Sequence, residues 1–320
     1  MRSAADVDLF QSRLADDAAA TEATLAALLA DAAVAGEIVR PPRLVAAMRH
    51  AVLGGGKRLR PFLMIETARL FGVENAGVLR AAAGLELLHC YSLVHDDLPA
   101  MDDDDLRRGR PTVHKAFDEA TAILAGDGLL TLAFAHLGEH GATDPAIRAR
   151  LVVELAAGAG SGGMVGGQMR DIEGETVPLD LPGIARMQAM KTGALIRAAV
   201  RMGAILGGAD PATLGYLTAY AEAAGRAFQL ADDILDVTAS AAPTQSVPRS
   251  MNSRYATSST TATHTGPGNA LINISRFNCE RTRATRVSTA CRRRSSPAAM
   301  ARFPREKCNS QEGQTLPLKW

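Results

Sequence analysis

The densest chemistry in the chain lies in Asp96-Asp97-Leu98-Pro99-Ala100-Met101-Asp102-Asp103-Asp104-Asp105. Carboxylates crowded this closely repel one another unless cations neutralise them. Hard divalent ions with oxygen ligands do so, and magnesium takes a few carboxylates and completes its shell with water and substrate phosphates. On a regular helix the step from Asp96 to Asp102 is about 600°, which puts the two on different faces. Pro99 breaks that helix, so a turn can return Asp102 towards the same ions. A solvated acidic helix end or a calcium loop is the alternative, although the alternating D-x-D-x-D-G of an EF-hand is absent. A second cluster follows in Phe228-Gln229-Leu230-Ala231-Asp232-Asp233-Ile234-Leu235-Asp236. Gln229, Asp232 and Asp236 stand at i, i+3 and i+7, on one helical face. With apolar residues packing its other face, such a helix would turn its carboxylates to a cavity.

Basic residues complement these acids. Gly54-Gly55-Gly56-Lys57-Arg58-Leu59-Arg60-Pro61 sets Lys57 and Arg60 at i, i+3, behind glycines that let backbone approach an anion closely. It is not a Walker A loop, because no Ser or Thr follows Lys57. Ordinary surface charge on a flexible connection is the plainer alternative. Arg107 and Arg108, directly after the first aspartates, can fork onto phosphate oxygens. His89 stands seven residues before Asp96, two turns away on the same face, where a satisfied core histidine is the ordinary case. Lys191-Thr192 places a charge inside an apolar helix and calls for an anionic partner. Gln168 and Asp171 form a polar i, i+3 pair on a glycine-rich segment that equally suits a close helix–helix contact.

The elements that must position these groups read as helices. Apolar spacing predicts them over 6–35, 43–53, 57–71, 79–98, 116–139, 145–170, 181–207 and 211–237. No strand alternation is evident, and aromatic content is only 4%, so the body is expected to be all-α. Residues 1–240 hold 22 basic against 31 acidic side chains, a balance that suits a metal site and disfavours nucleic acid. No signal peptide is evident, and no stretch reaches the roughly 18 consecutive apolar residues of a membrane span. Cys90, Cys279, Cys291 and Cys308 show neither metal-ligand nor disulfide spacing, so a reducing cytoplasm is expected.

Composition changes near Ala239. Residues 241–320 contain 13 Lys or Arg against 3 Asp or Glu, 20 Ser or Thr and no Asp, without helical or strand periodicity. The expected organisation is a domain over 1–239 and a basic tail over 240–320, disordered by its composition.

Gly55-Gly-Lys-Arg-Leu-Arg-Pro61, His89 to Asp105 with Leu106-Arg-Arg-Gly109, Lys191-Thr192-Gly193 and Phe228 to Asp236 together resemble the trans-isoprenyl diphosphate synthases, in order and approximate spacing. Within that family the likeness is to the bacterial farnesyl diphosphate synthase type. The resemblance covers about residues 1–239. It implies an all-helical bundle around a deep central cavity, in a homodimer, that condenses isopentenyl diphosphate with an allylic diphosphate. It further implies a catalytic set of Asp96, Asp97, Asp102, Arg107, Lys191 and Asp232. Asp96 and Asp102 would hold two magnesium ions and Asp232 a third, with Asp236 in its water shell; manganese is an alternative ion. Lys57, Arg60, His89 and Arg108 would bind isopentenyl diphosphate. Arg107, Lys191 and Thr192 would meet the allylic diphosphate, and Gln229 would line the pocket. Tyr91 and Ser92, on the helix below Asp96, would set product length and favour a fifteen-carbon product over the twenty-carbon alternative.

After Thr238 this chain departs from the family, which continues with a Gly-Lys-rich loop, a Lys-x-Thr-Tyr-Pro segment and more helices. The Arg/Ser/Thr-rich sequence has the look of an out-of-frame translation, with a genuine basic tail for anionic membranes or RNA as the alternative, and weak or absent turnover and reduced stability are expected. A class I terpene cyclase shares helices and an aspartate motif, but its second metal motif is of Asn/Asp-Ser/Thr-Glu type, unlike Asp232-Asp-Ile-Leu-Asp236. A non-enzymatic helical partner of an active synthase is the third reading.

Overall fold

Prolines, capping side chains and glycines punctuate the chain into helices. The computed structural model describes residues 4–33 and 36–239, so the tail over 240–320 lies outside the described residues. Helix α1 runs over Ala4–Leu28, α2 over Pro42–Val52, α3 over Leu59–Arg69 and α4 over Ala76–Asp96. Pro42 sits where a missing N–H costs nothing. Asn75 starts α4 by accepting from the N–H groups of Gly77 and Val78. A short turn of helix, α5 (Val113–Ala116), precedes α6 (Glu119–His140), α7 (Pro145–Ala159), α8 (Met164–Thr176) and α9 (Leu181–Gln188). Asp118, Asp144 and Asp180 cap α6, α7 and α9 through their carboxylates. A π-helical turn, Ala189–Gly193, runs directly into α10 (Ala194–Leu206), and α11 spans Pro211–Ala239.

Three local expectations are corrected. The predicted helix over 145–170 is two helices, because Gly160-Ser161-Gly162-Gly163 offers little side-chain reason to continue. The predicted 116–139 helix begins only at Glu119, behind the Asp118 cap. A two-residue antiparallel ladder also exists, Leu106 opposite Pro111 and Arg107 opposite Arg110. Its turn residues Arg108 and Gly109 have φ of 54° and 75°, the left-handed pair that a tight hairpin turn demands.

The core centres on α4, whose Ala81, Ala82, Ala83, Leu85, Leu87 and Leu88 are fully buried. It packs against α6, α3 and α1, while α10 packs against α3, α7 and α11. Small residues set the spacing: a Cβ on Gly84 would lie 3.0 Å from Leu137, and one on Gly203 only 2.4 Å from the Met64 carbonyl oxygen. Among the described residues one helix, α6, is long and apolar enough to cross a membrane by length and composition. Its Ala122, Ala125, Leu129, Ala133 and Leu137 are buried in this core.

Candidate active site

The site forms where α4 ends. Pro99 and the residues around it make a turn in which the Asp102 N–H donates to the Asp96 carbonyl at 2.9 Å. Asp103 takes a left-handed φ of 52° to complete it. The chain thereby folds Asp102 back against Asp96, as the proline predicts.

The adjacent carboxylates differ in surroundings. Asp97 is buried and accepts from Arg107 Nε at 2.6 Å, and Arg107 also reaches Asp104 at 3.3 Å. Asp96 is half-buried and accepts from Gln168 Nε2 of α8 at 2.5 Å. Burial raises the Asp96 carboxyl above its ordinary range, against the lowering fields of Lys191 and Arg107. A carboxylate lifted by desolvation and met by one amide favours the approach of a cation. Among the described residues no three His, Cys, Asp or Glu side chains gather into a metal cage. An all-oxygen donor set of this kind leaves most of an ion's shell to water and phosphate, which fits magnesium.

Two cavities meet beside these residues. One, of about 520 Å³, is lined by Gly54, Gly56, Lys57, Arg60, His89 and Arg108, with Arg58 and Glu86 in its wall. The other, of about 440 Å³, runs from Asp96, Lys191 and Thr192 past Ser92 to Tyr91, Met164, Val165, Met169 and Ile172. Arg60 and His89 line both, and Arg60 Nη1 stands 3.2 Å from His89 Nε2. Burial, together with the charges of Arg60 and Arg108, holds the His89 imidazole well below its ordinary range. Among the described residues Lys57, Arg60 and Arg108 have no carboxylate partner, and Arg60 Nε is buried without a hydrogen bond. Arg108, swung out by its hairpin, donates to the Gly55 carbonyl. The basic cavity therefore gathers three cations that make no ion pair among the described residues, with Glu86 in its wall, and the other cavity joins Asp96 and Lys191 to a mainly apolar lining.

Tyr91 is buried and meets the His95 ring edge-on at 5.7 Å. Its wall is closed by α6, where a Cβ on Gly126 would fall 2.1 Å from His95 Nε2. Ser92 donates to the His89 carbonyl at 2.8 Å. Lys191 finds the anion its place in an apolar helix requires: Nζ is 2.7 Å from Asp171 Oδ2. The π-helical turn offsets Lys191 and Thr192 from regular helical register, a device common at functional positions. Gln168 and Asp171, left open between polar pair and packing contact, do both. Each reaches a site residue, and a Cβ on Gly167, which precedes Gln168 in α8, would lie 2.2 Å from the Lys191 backbone N.

The second acidic cluster lines a different cavity, although Phe228 at its head lines the basic one. Gln229 is buried, donates to Asp233 at 3.2 Å, and lines a separate cavity of about 380 Å³ with Gln188, Arg197 and Arg226. Asp232 is half-buried and lines none of these three cavities. The side chain of Asp236 lies outside the described residues. The apolar face expected to pack is instead open: Leu230 and Ile234 are 62% and 49% exposed.

An all-α bundle in which a basic cavity and a mainly apolar one share Arg60 and His89, with Asp96 lining the second, is an arrangement of the isoprenoid-synthase class. The polyprenyl synthetase family model matches residues 41–247, and the chain belongs to that family. It is 48% identical over 199 residues to a farnesyl diphosphate synthase of Geobacillus stearothermophilus, covering 62% of this chain and 67% of that protein. It is 52% identical over 199 residues to that of Escherichia coli, covering 61% and 66% respectively. A geranylgeranyl pyrophosphate synthase large subunit of Arabidopsis thaliana is 43% identical over 226 residues, covering 69% and 60%. The chain thus spans about two thirds or less of these relatives' length. The crystal structure of a FPP/GFPP synthase from Zymomonas mobilis superposes with a TM-score of 0.67 at 46% identity, covering 71% of this chain and 81% of that one.

Proposed function

We propose that this chain is a magnesium-dependent trans-prenyltransferase that joins isopentenyl diphosphate to dimethylallyl or geranyl diphosphate, releasing pyrophosphate and giving farnesyl diphosphate. The observation that carries the reading is the meeting of the two cavities at Arg60 and His89. A small homoallylic diphosphate suits the basic cavity, where Lys57, Arg60, His89 and Arg108 supply donors free of ion pairs among the described residues. The allylic diphosphate suits the acidic mouth, with its apolar chain in the tunnel above Tyr91. Asp96 and Asp102 would hold magnesium there, with Asp232 and Asp236 as candidates for a third ion; when bound, the metal neutralises charge on the departing pyrophosphate. Arg107 and Lys191, already oriented by Asp97 and Asp171, add fixed positive charge on the same side, and Thr192 adds a hydroxyl. Met164, Val165, Met169 and Ile172 give the allylic chain an apolar lining, which disfavours the water that would quench an allylic cation. The released pyrophosphate accepts the final proton, so no separate protein base is needed.

Tyr91 against His95 favours a fifteen-carbon limit over the geranylgeranyl alternative. Residues 1–239 form the catalytic domain, working as a cytoplasmic homodimer. Incubation with labelled isopentenyl and geranyl diphosphates, with magnesium and with EDTA, tests the reading. A slowly formed, magnesium-dependent C15 product is expected, and Tyr91→Ala should lengthen it. Product formed equally in EDTA would defeat the proposal.

A further inference from the structure

We infer that Arg58 and Glu86 are positioning residues for homoallylic diphosphate binding, and that Arg58 is not itself a ligand despite standing between Lys57 and Arg60; this rests on the function proposed for the basic cavity. Arg58 occupies the N-cap of α3 with a left-handed φ of 48°, a conformation a bulky residue rarely adopts without compensation. Its side chain is 0% exposed, unlike that of a residue waiting for a ligand. The guanidinium is already spent on protein groups. Nη1 donates to Glu86 at 2.7 Å, Nη2 to Glu22 at 2.9 Å and to the Val52 carbonyl at 2.5 Å, and Nε to Glu22 at 3.3 Å.

Those partners belong to three different helices: Glu22 to α1, Val52 to α2 and Glu86 to α4. One buried fork thus ties the end of α2, the start of α3 and the helix that carries His89 and Asp96. Between the Val52 carbonyl and Arg58 lies the loop Leu53–Lys57, whose Gly55 and Gly56 have φ of 84° and 132° and so little intrinsic preference of their own. Fixing both ends of that loop fixes Lys57 on one side of Arg58 and Arg60, two residues further on in α3, on the other. Glu86 makes the case distinctive. It is 2% exposed, and it forms part of the wall of a cavity proposed to receive an anion. An acid there repels the ligand, yet it accepts a hydrogen bond from Arg58, and its charge also supports the Arg60 cation.

The sign of one substitution separates the possibilities. By Coulomb's law alone, Glu86→Gln removes a negative charge from the wall and should tighten anion binding. If Glu86 acts through Arg58, the same change loosens the loop, and affinity falls by about tenfold, the scale set by one lost hydrogen bond to a charged group. Calorimetric titration of the full chain with isopentenyl diphosphate reads this directly, with thermal unfolding recorded alongside. Glu22→Gln is the second variant, chosen because Glu22 lies outside the cavity with a side chain 39% exposed and its loss should spare folding. It is expected to weaken binding by about threefold through the same fork, as the loss of one partly exposed hydrogen bond would. Arg58→Lys, which keeps the charge and one bond to Glu86, should retain more affinity than Arg58→Gln. Tighter binding by Glu86→Gln, or unchanged binding by folded Glu22→Gln, overturns the proposal. Lys57→Ala and Arg108→Ala test the underlying reading separately. If the unsubstituted chain binds no isopentenyl diphosphate, or neither of these weakens it, the cavity's function fails and the positioning role fails with it. If they weaken binding while the Glu22 and Glu86 variants do not, only the positioning role is lost.

Discussion

The charged residues around the two cavities divide by whether protein has already neutralised them. Lys57, Arg60 and Arg108 have no carboxylate partner among the described residues, whereas Arg107 is bound by Asp97 and Asp104 and Lys191 by Asp171. The first group is poised for a ligand, and the second is oriented in advance. Removing an orienting partner has a structural cost. Arg107→Met leaves Asp97 buried without its cation and should destabilise the fold by ~2 kcal/mol, below the value for a fully buried pair because Arg107 is 31% exposed. Urea denaturation of the variant measures it, and Asp97→Asn combined with Arg107→Met should recover part of the loss. Cys90 illustrates the opposite case, a nucleophile made inert. Burial, with the neighbouring Glu86, pushes its thiol up to about 12, so iodoacetamide should label the Cys90 peptide only on unfolding. At this scale the sequence was informative wherever bonding is local. Pro99 made the return of Asp102 legible, but the pairing of Gln168 with Asp96 was not, because it depends on how closely α8 approaches α4.

That approach is decided by elements. Gly160–Gly163 ends α7 and starts α8 afresh, and Gly167 then lets α8 lie directly on the π-helical turn that carries Lys191. Apolar periodicity alone ran through the glycines, so one helix was expected where two exist. The π-helical turn left no mark in the sequence, since it inserts one residue into an otherwise ordinary helical pattern. Gly167→Ala would push a methyl into backbone, and backbone cannot turn aside as a flexible side chain can. It should cost about 1–3 kcal/mol and weaken allylic diphosphate binding more than homoallylic binding. Paired titrations with the two diphosphates would reveal that asymmetry. The α4–α6 contact holds a pH-sensitive point of its own. His136 is buried with Nε2 unbonded, and burial, helped by the nearby charges of His140 and Arg80, lowers it from 6.5 to about 4. The folded state then binds fewer protons than the unfolded chain, so stability present above pH 6.5 is lost as pH falls towards 4. The loss should be on the order of 2–3 kcal/mol, and His136→Leu should flatten that part of the stability–pH profile.

At the scale of the molecule, the all-α bundle was legible from alanine-rich apolar spacing, because helix packing needs little beyond the right period. The state of α11 was not. Its spacing marks Tyr216, Tyr220, Leu230 and Ile234 as a stripe of the kind that packs, yet they are 78%, 59%, 62% and 49% exposed. Periodicity reports what a helix could bury, and whether a neighbour covers it depends on chain elsewhere. An open stripe of this size should bind anilinonaphthalene sulfonate, and Leu230→Glu with Ile234→Glu should cut that signal by about half without loss of helicity. The central claim is that two diphosphates occupy two chemically different cavities. Calorimetry of the full chain with each substrate, in magnesium and in EDTA, tests it most directly. Isopentenyl diphosphate should bind the basic cavity with or without the metal, while geranyl diphosphate should bind only with magnesium and lose that binding in Asp96→Asn. Metal-independent binding of geranyl diphosphate, or isopentenyl diphosphate binding that vanishes in EDTA, would contradict the account.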